Sequence, residues 1–256
     1  MLSQVAQDMS LKQRQTTLGS SFGPIADKYA IARPTYPDSV IAALIHQNSN
    51  VLELGAGTGL LTQKVLSYAK SVVATDLALR MLEQLEERLP SATIAVARAE
   101  NLPFDSESFD QIIVGQAAHW FDLETSLKEI ARVVKPHGDL ILIWNKRRNI
   151  MKWLDRFDEI VRATRHEKSE VAITETISST GLFSPFTKLT SSFEHHLNVT
   201  NSEAFIESFS HVSTLAEADK TSVITSGSRL LKENADTNGV VAIPYICDAY
   251  YAKRSI

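Results

Sequence analysis

Residues 51–59 read Val-Leu-Glu-Leu-Gly-Ala-Gly-Thr-Gly, and a second apolar run, Val72-Val73-Ala74, ends in Thr75-Asp76. A short apolar run that enters a glycine turn and then a helix is a strand–loop–helix unit shaped to receive a ligand. Gly55, Gly57 and Gly59 carry no Cβ, so a ligand can lie against the backbone there. A carboxylate closing the next strand is placed to accept hydrogen bonds from ribose hydroxyls. The spacing narrows the choice of ligand. The dinucleotide fingerprint G-x-G-x-x-G needs glycine at position 60, where this chain has Leu60, so a nicotinamide dehydrogenase is disfavoured.

No internal repeat is visible, but strand and helix alternate along the chain. Strands are expected at about 50–55, 71–75, 93–97, 111–115 and 139–145, with helices at 38–47, 60–69, 78–88 and 123–134 between them. A further helical stretch at 22–33 precedes Pro34 and Pro37. Regular alternation of strand and helix argues for a parallel sheet with helices on both faces. After residue 146 the pattern changes. Trp153, Leu154, Phe157, Ile160 and Val161 recur at helical spacing, 186–199 and 240–251 read as strands, and 202–211 and 216–232 read as helices.

Composition removes several classes. The chain has 256 residues, 44% of them hydrophobic, which suits one large domain with a substantial core. Its formal net charge is −4 and no Lys/Arg-rich tract occurs, so no nucleic-acid partner is expected. No segment approaches the ~20 apolar residues of a membrane span. Residues 1–8 lack the basic and apolar regions of a secretory signal, which sets a cytoplasmic expectation. The single cysteine, Cys247, cannot form an intrachain disulfide and reads as a small apolar residue in a terminal strand. His195 and His196 point to opposite faces of a strand, and no Cys/His zinc spacing occurs, so no metal site is expected.

Further motifs name a family. Glu53-x-Gly55-x-Gly57-x-Gly59 resembles motif I of the class I S-adenosylmethionine-dependent methyltransferases. Asp76-Leu77-Ala78-Leu79-Arg80-Met81-Leu82 is similar to D-x-S-x-x-M-L, with Ala78 where a helix-capping serine is usual. Ala99-Glu100-Asn101-Leu102-Pro103-Phe104 followed by Ser108-Phe109-Asp110 resembles A-E-x-L-P-F…S-F-D. Arg132-Val133-Val134-Lys135-Pro136-His137-Gly138 resembles R-V-L-K-P-G-G, with His137 replacing a glycine. Together these match the methyltransferase type 11 group over about residues 20–145. Gln116-Ala117-Ala118-His119-Trp120-Phe121 and Tyr29-x-x-x-Arg33-Pro34-x-Tyr36-Pro37 resemble its trans-aconitate methyltransferase-like branch.

The resemblance implies a Rossmann-like, doubly wound, seven-stranded and mostly parallel sheet, with an antiparallel last strand and a helical cap insertion. The corresponding division is an N-terminal tail at 1–20, a cofactor-binding core at 21–145, a cap at 146–185, and C-terminal strands and helices at 186–256. It also implies S-adenosyl-L-methionine as cofactor and S-adenosyl-L-homocysteine as product. Gly55, Ala56 and Gly57 would lie against the amino-acid portion, Glu53 near its ammonium group and Asp76 on the ribose. Leu77, Met81 and Leu102 would face adenine, with Ala99 and Glu100 at its polar edge and Gln116 beside the methyl group. Arg33 could grip a carboxylate of cofactor or substrate. Tyr29, His119 and Trp120 are the candidates on the acceptor side. His119 is open to three readings: a general base, a hydrogen bond to substrate, or a structural residue. Trp153 is read as a core anchor or as a lid residue.

The function read from all this is methyl transfer to a small-molecule acceptor, with a carboxylic acid favoured. Two alternatives stand beside it. A nucleic-acid or protein methyltransferase is opposed, for nucleic acid, by the acidic balance. A non-catalytic S-adenosylmethionine-binding regulatory protein is opposed by the intact glycine, acidic and Gln116–Trp120 segments. The acceptor's identity and the oligomeric state are not written in the sequence.

Overall fold

A computed structural model of the chain describes residues 32–161 and 169–255. Seven strands form one sheet: β1 (Asn50–Leu54), β2 (Ser71–Asp76), β3 (Thr93–Val96), β4 (Phe109–Gly115), β5 (Val134–Arg147), β6 (Thr187–Asn198) and β7 (Val240–Lys253). Their order is β3-β2-β1-β4-β5-β7-β6. Neighbours are parallel from β3 through β5, whereas β7 runs antiparallel to both β5 and β6. The expected Rossmann-like arrangement with an antiparallel last strand is therefore the one that forms.

Helices α1 (Asp38–Leu44), α2 (Leu60–Val65), α3 (Leu79–Arg88) and α4 (Leu123–Val133) accompany the first five strands. The period-2 pattern of the central strands sorts residues onto two faces. Val51, Ile113, Ile141 and Ile143 pack with α1 and α2 through Ile41, Leu61 and Val65. Leu52, Leu54, Ile112, Val114, Leu140 and Leu142 pack on the opposite face with Leu127 and Ile130 of α4. A sheet covered on both faces explains why its inner strands are nearly unbroken apolar runs.

The chain proceeds from β1 outward to β2 and β3, then returns to place β4 on the other side of β1. That reversal opens a crevice at the carboxyl ends of β1 and β4, where ligands bind in sheets of this kind. At the opposite end the sheet is closed by a buried polar network. Gln111 Nε2 donates to Leu44 O at 2.8 Å and to Asp139 Oδ2 at 3.2 Å, and its Oε1 accepts the His46 N–H at 2.8 Å. Lys253 Nζ reaches Asp139 Oδ1 at 2.8 Å. Every buried polar group of that cluster has a partner, so it reads as a fastening of α1 to the sheet.

Among the described residues five α-helices follow β5: α5 (Lys152–Ile160), α6 (Glu170–Ser179), α7 (Ser202–Glu207), α8 (Ser210–Ser213) and α9 (Glu217–Glu233). Ile173 and Ile177 of α6 join the main core beside α4. Leu154 and Phe157 of α5 instead form a separate apolar cluster with Phe205, Phe209 and Leu231 from α7 to α9 and with Tyr245 of β7. Trp153 is half-buried against that cluster. Among the described residues no helix is long and apolar enough to cross a membrane.

Candidate functional site

The crevice holds a cavity of about 250 Å³. Its floor is the glycine loop after β1, which the fold shapes by packing. Gly55, Gly57 and Gly59 have φ of +71°, +55° and +86°, the left-handed region that glycine enters without penalty. A Cβ on Gly55 would come within 2.5 Å of the Ala117 Cβ, and one on Gly59 within 2.7 Å of Leu85 Cγ. A Cβ on Gly57 would meet nothing within 4 Å. Two of these glycines are thus required by neighbouring side chains. The third leaves a bare backbone on the cavity wall.

Asp76, at the end of β2, ties this loop down. Its Oδ2 accepts the Gly57 N–H and its Oδ1 the Ala78 N–H, both at 2.9 Å. The second bond is an Asx turn that leads into α3. It answers the question posed by Ala78, which provides no side-chain cap of its own. Burial pushes the Asp76 carboxyl above its ordinary range, against the three backbone N–H groups, of Ala78, Gly57 and Leu77, that favour its ionised form.

Glu53 is 1% exposed. It accepts a hydrogen bond from Thr62 Oγ1 of α2 at 2.6 Å. Burial, opposed by the Thr62 bond and reinforced by Asp76, raises its carboxyl to about 8. At Glu53 the folded protein then holds one proton more than the unfolded chain between about 4.5 and about 8, so this group weakens the ligand-free protein as pH rises through that window. A cation placed beside Glu53 would reverse this by favouring the carboxylate.

The other expected site residues fall as follows. Leu77, Met81, Ala99 and Glu100 line the cavity on the β2–β3 side, and Arg33, Gln116 and Trp120 line it elsewhere. Ala56 also lines it. Glu100 is engaged as well: its Oε1 accepts the Asp122 N–H at 2.9 Å and its Oε2 lies 3.6 Å from Arg98 Nε. Leu102 is not on the cavity wall; it is 3% exposed in the core beneath it. Arg33 donates to Ser208 O at 2.5 Å, and its guanidinium lies 4.7 Å from the centroid of the Phe209 ring. Gln116 has φ +57°, uncommon for a residue with a side chain; its Nε2 donates to Asn145 O at 2.8 Å. His119 is not among the lining residues; its half-buried ring stands 4.7 Å from that of Trp120. Tyr29 lies outside the described residues.

Two of the sequence motifs prove to hold each other. Arg132 grips Glu129 through Nε and Nη2 at 2.8 Å each and donates to Phe104 O at 2.7 Å and Leu102 O at 3.0 Å. Glu129 accepts the Leu102 N–H at 2.9 Å, and the Arg132 guanidinium holds its carboxyl down at about 2. The loop carrying Ala99 and Glu100 is thereby pinned to α4.

The wall also carries residues outside the set expected from the sequence, among them Thr58, Tyr36 and Asn145. Thr58 is buried and lines the cavity, and its hydroxyl has no hydrogen-bond partner among the described residues. Tyr36 is buried at the wall, with its hydroxyl 2.8 Å from the position a Cβ on Gly115 would take. Asn145 closes the apolar run of β5 at the same edge. The signal available for Thr58 and Asn145 was position, a polar residue in the glycine loop and one near a strand carboxyl end; Tyr36, just before α1, carried no such signal.

A nucleoside carrying an amino-acid group fits this set. It needs a bare backbone to lie on and carboxyl groups in reach; Gly57 offers the first, and Asp76 and Glu53 line the same cavity. The orphaned Thr58 hydroxyl is a further buried group that such a ligand could satisfy.

The fold is that of the α/β domain found in S-adenosylmethionine-dependent methyltransferases. Residues 52–142 match the family model of the methyltransferase domain, Methyltransf_11. The chain is 37% identical over 154 residues to an uncharacterized methyltransferase of Schizosaccharomyces pombe, a match covering 58% of this chain and 61% of that protein. It thus spans about three fifths of the length of the curated relatives it matches. Among solved structures, a provisionally assigned type II methyltransferase of Anaeromyxobacter dehalogenans superposes with a TM-score of 0.64 at 20% identity, covering 87% of this chain and 97% of that one. Phosphoethanolamine N-methyltransferase 2 of Haemonchus contortus, in complex with S-adenosyl-L-methionine, superposes with a TM-score of 0.51 at 15% identity, covering 86% and 52%. These two likenesses establish the fold.

Proposed function

We propose that the protein is an S-adenosylmethionine-dependent methyltransferase acting on a small acid, in the trans-aconitate methyltransferase-like branch. The observation that carries the reading is the joining of the Gly57 backbone, Glu53 and Asp76 on one cavity wall. The matched methyltransferase domain supports the reaction class. Gly55–Gly57 and Thr58 would hold the amino-acid portion of the cofactor, Glu53 its ammonium, Asp76 its ribose, and Leu77 and Met81 its base. When bound, the cofactor supplies a methyl group already activated on a sulfonium. The chain's own part is then to align an acceptor and exclude water, which can lower a barrier by roughly 7–11 kcal/mol at most. Arg33 on the cavity wall favours an anionic acceptor. The expected cap at 146–185 remains part of the proposal in altered form. The lobe that closes over the acceptor would draw on α5 and on α7–α9, which share one apolar cluster.

The proposed cofactor contact at Glu53 has a measurable consequence. Placing an ammonium group there should drive off the Glu53 proton, so binding of S-adenosylhomocysteine should release close to one proton at pH 6–7 and tighten about tenfold per pH unit there. The cofactor's own α-amino group, beside a carboxylate, stays protonated at pH 6–7. Calorimetry in buffers of differing ionisation enthalpy reads the proton count. Glu53→Gln should abolish the release; proton-neutral binding by the wild type would remove Glu53 from the cofactor site.

A screen of small acids, phenols and amines for S-adenosylhomocysteine release tests the reaction itself. With a carboxylate acceptor no base is needed, and at saturating cofactor His119→Ala should lower the rate by less than about tenfold and leave the profile flat from pH 6 to 8. A loss of roughly 10²–10⁴-fold, with disappearance of a titration near neutrality, would mark His119 as a general base and overturn the carboxylate reading.

A further inference from the structure

Asn145 is the last wall residue of β5 before the chain leaves the cavity. It lies three strands from Asp76 in the order β2-β1-β4-β5, which at the usual strand spacing is roughly 14 Å across the crevice. The ribose-binding end and the Asn145 end are therefore different parts of one cavity. Gln116, the residue proposed beside the methyl group, directly follows the neighbouring strand β4, and its Nε2 donates to the Asn145 main-chain carbonyl.

The two ends of the Asn145 amide can be told apart. Nδ2 donates to Thr35 O at 3.1 Å. A main-chain carbonyl can only accept, so the atom facing it is the NH₂ and the other is the oxygen. That oxygen is enclosed and accepts from no group among the described residues. A buried acceptor left without a donor costs free energy, and such atoms in a binding cleft are commonly completed by a ligand.

We propose that Asn145 selects the methyl acceptor, its carboxamide oxygen taking a hydrogen bond from a hydroxyl carried by a small acid. This rests on the methyltransferase reading above. The acceptor would then carry two recognisable groups, an anionic one toward Arg33 and a donor toward Asn145. Acids lacking the hydroxyl would leave the oxygen buried and unpaired, which is how a site built to bond a polar group rejects an analogue without it.

The test uses the full chain loaded with S-adenosylhomocysteine and needs no turnover. Saturation-transfer NMR compares propanoate with lactate, succinate with malate, and benzoate with salicylate. In at least one pair the hydroxylated acid should bind roughly 5- to 100-fold more tightly than its partner. Asn145→Leu should erase that preference, and Asn145→Asp, which keeps an acceptor oxygen, should retain most of it. Both variants lose the bond to Thr35, so a merely structural role would damage them alike. Absence of a hydroxyl preference in all three pairs, including absence of binding, overturns the proposal, as does a preference that survives in Asn145→Leu. Calorimetry with S-adenosylhomocysteine separates the two claims. Wild-type protein that does not bind it loses the methyltransferase reading as well, whereas normal binding without hydroxyl preference removes only the role of Asn145.

Discussion

Gly57→Ala should abolish cofactor binding while leaving a folded protein. The new Cβ would point into open space, so no protein atom resists it. Its cost to folding is that of a left-handed backbone at φ +55°, about 1–2 kcal/mol. Valine at the same position is more strained because it is branched at Cβ, which makes alanine the better probe. On the proposed reading the Cβ occupies the surface against which the cofactor's amino-acid portion lies. The affinity for S-adenosylhomocysteine should fall by ~100-fold or more, a loss of about 3 kcal/mol. Gly55→Ala is the contrasting case, since its Cβ would meet Ala117 at 2.5 Å and the damage should appear in the thermal melt. Circular dichroism and calorimetry on both variants separate the two effects. Unaltered binding by Gly57→Ala would mean that no ligand lies on that backbone.

Asp76→Ala should be the most damaging change that leaves the glycines in place. The carboxylate accepts N–H groups from Gly57 and Ala78, and each backbone group left unpaired costs roughly 1–3 kcal/mol. At about 2–4 °C per kcal/mol for a chain of this size, the melting temperature should drop by several degrees. Losing the two proposed ribose bonds, each worth about 1.5–3 kcal/mol to a charged acceptor, adds a fall in affinity of at least roughly 100-fold. Asp76→Asn separates the two roles. With its Oδ1 on the Ala78 N–H it should recover the melt more fully than the binding. Full affinity in Asp76→Ala would place the ribose elsewhere.

The parts of the fold that depend on short-range pattern were legible in the sequence. The two-faced apolar strands, the glycine loop and the closing carboxylate all follow from local periodicity and backbone chemistry. The parts that depend on partners distant in sequence were not. Pro136 and Gly138 suggested a break before the fifth strand, yet β5 begins at Val134. It pairs with Phe109 and absorbs the irregularity in a register shift between Phe109 and Gln111, with His137 at φ +60°. The expected helix at 202–211 divides into α7 and α8 at Phe209, whose backbone is extended. The break places its ring against both Arg33 and Arg147, at 4.7 and 4.9 Å. Only the fold brings together residues 33, 147 and 209. Asn145 shows the same limit within the site: its position at a strand end was readable, but the pairing of Nδ2 with Thr35 that singles out its oxygen was not.

The crevice at the carboxyl ends of β1, β2 and β4 is expected to hold S-adenosylmethionine rather than a dinucleotide. Titration calorimetry of the wild-type chain with S-adenosylhomocysteine and, separately, with NADH tests it most directly. Saturable one-to-one binding of S-adenosylhomocysteine is the expected result, with much weaker or no binding of NADH. Failure to bind S-adenosylhomocysteine, or a preference for NADH, would contradict it.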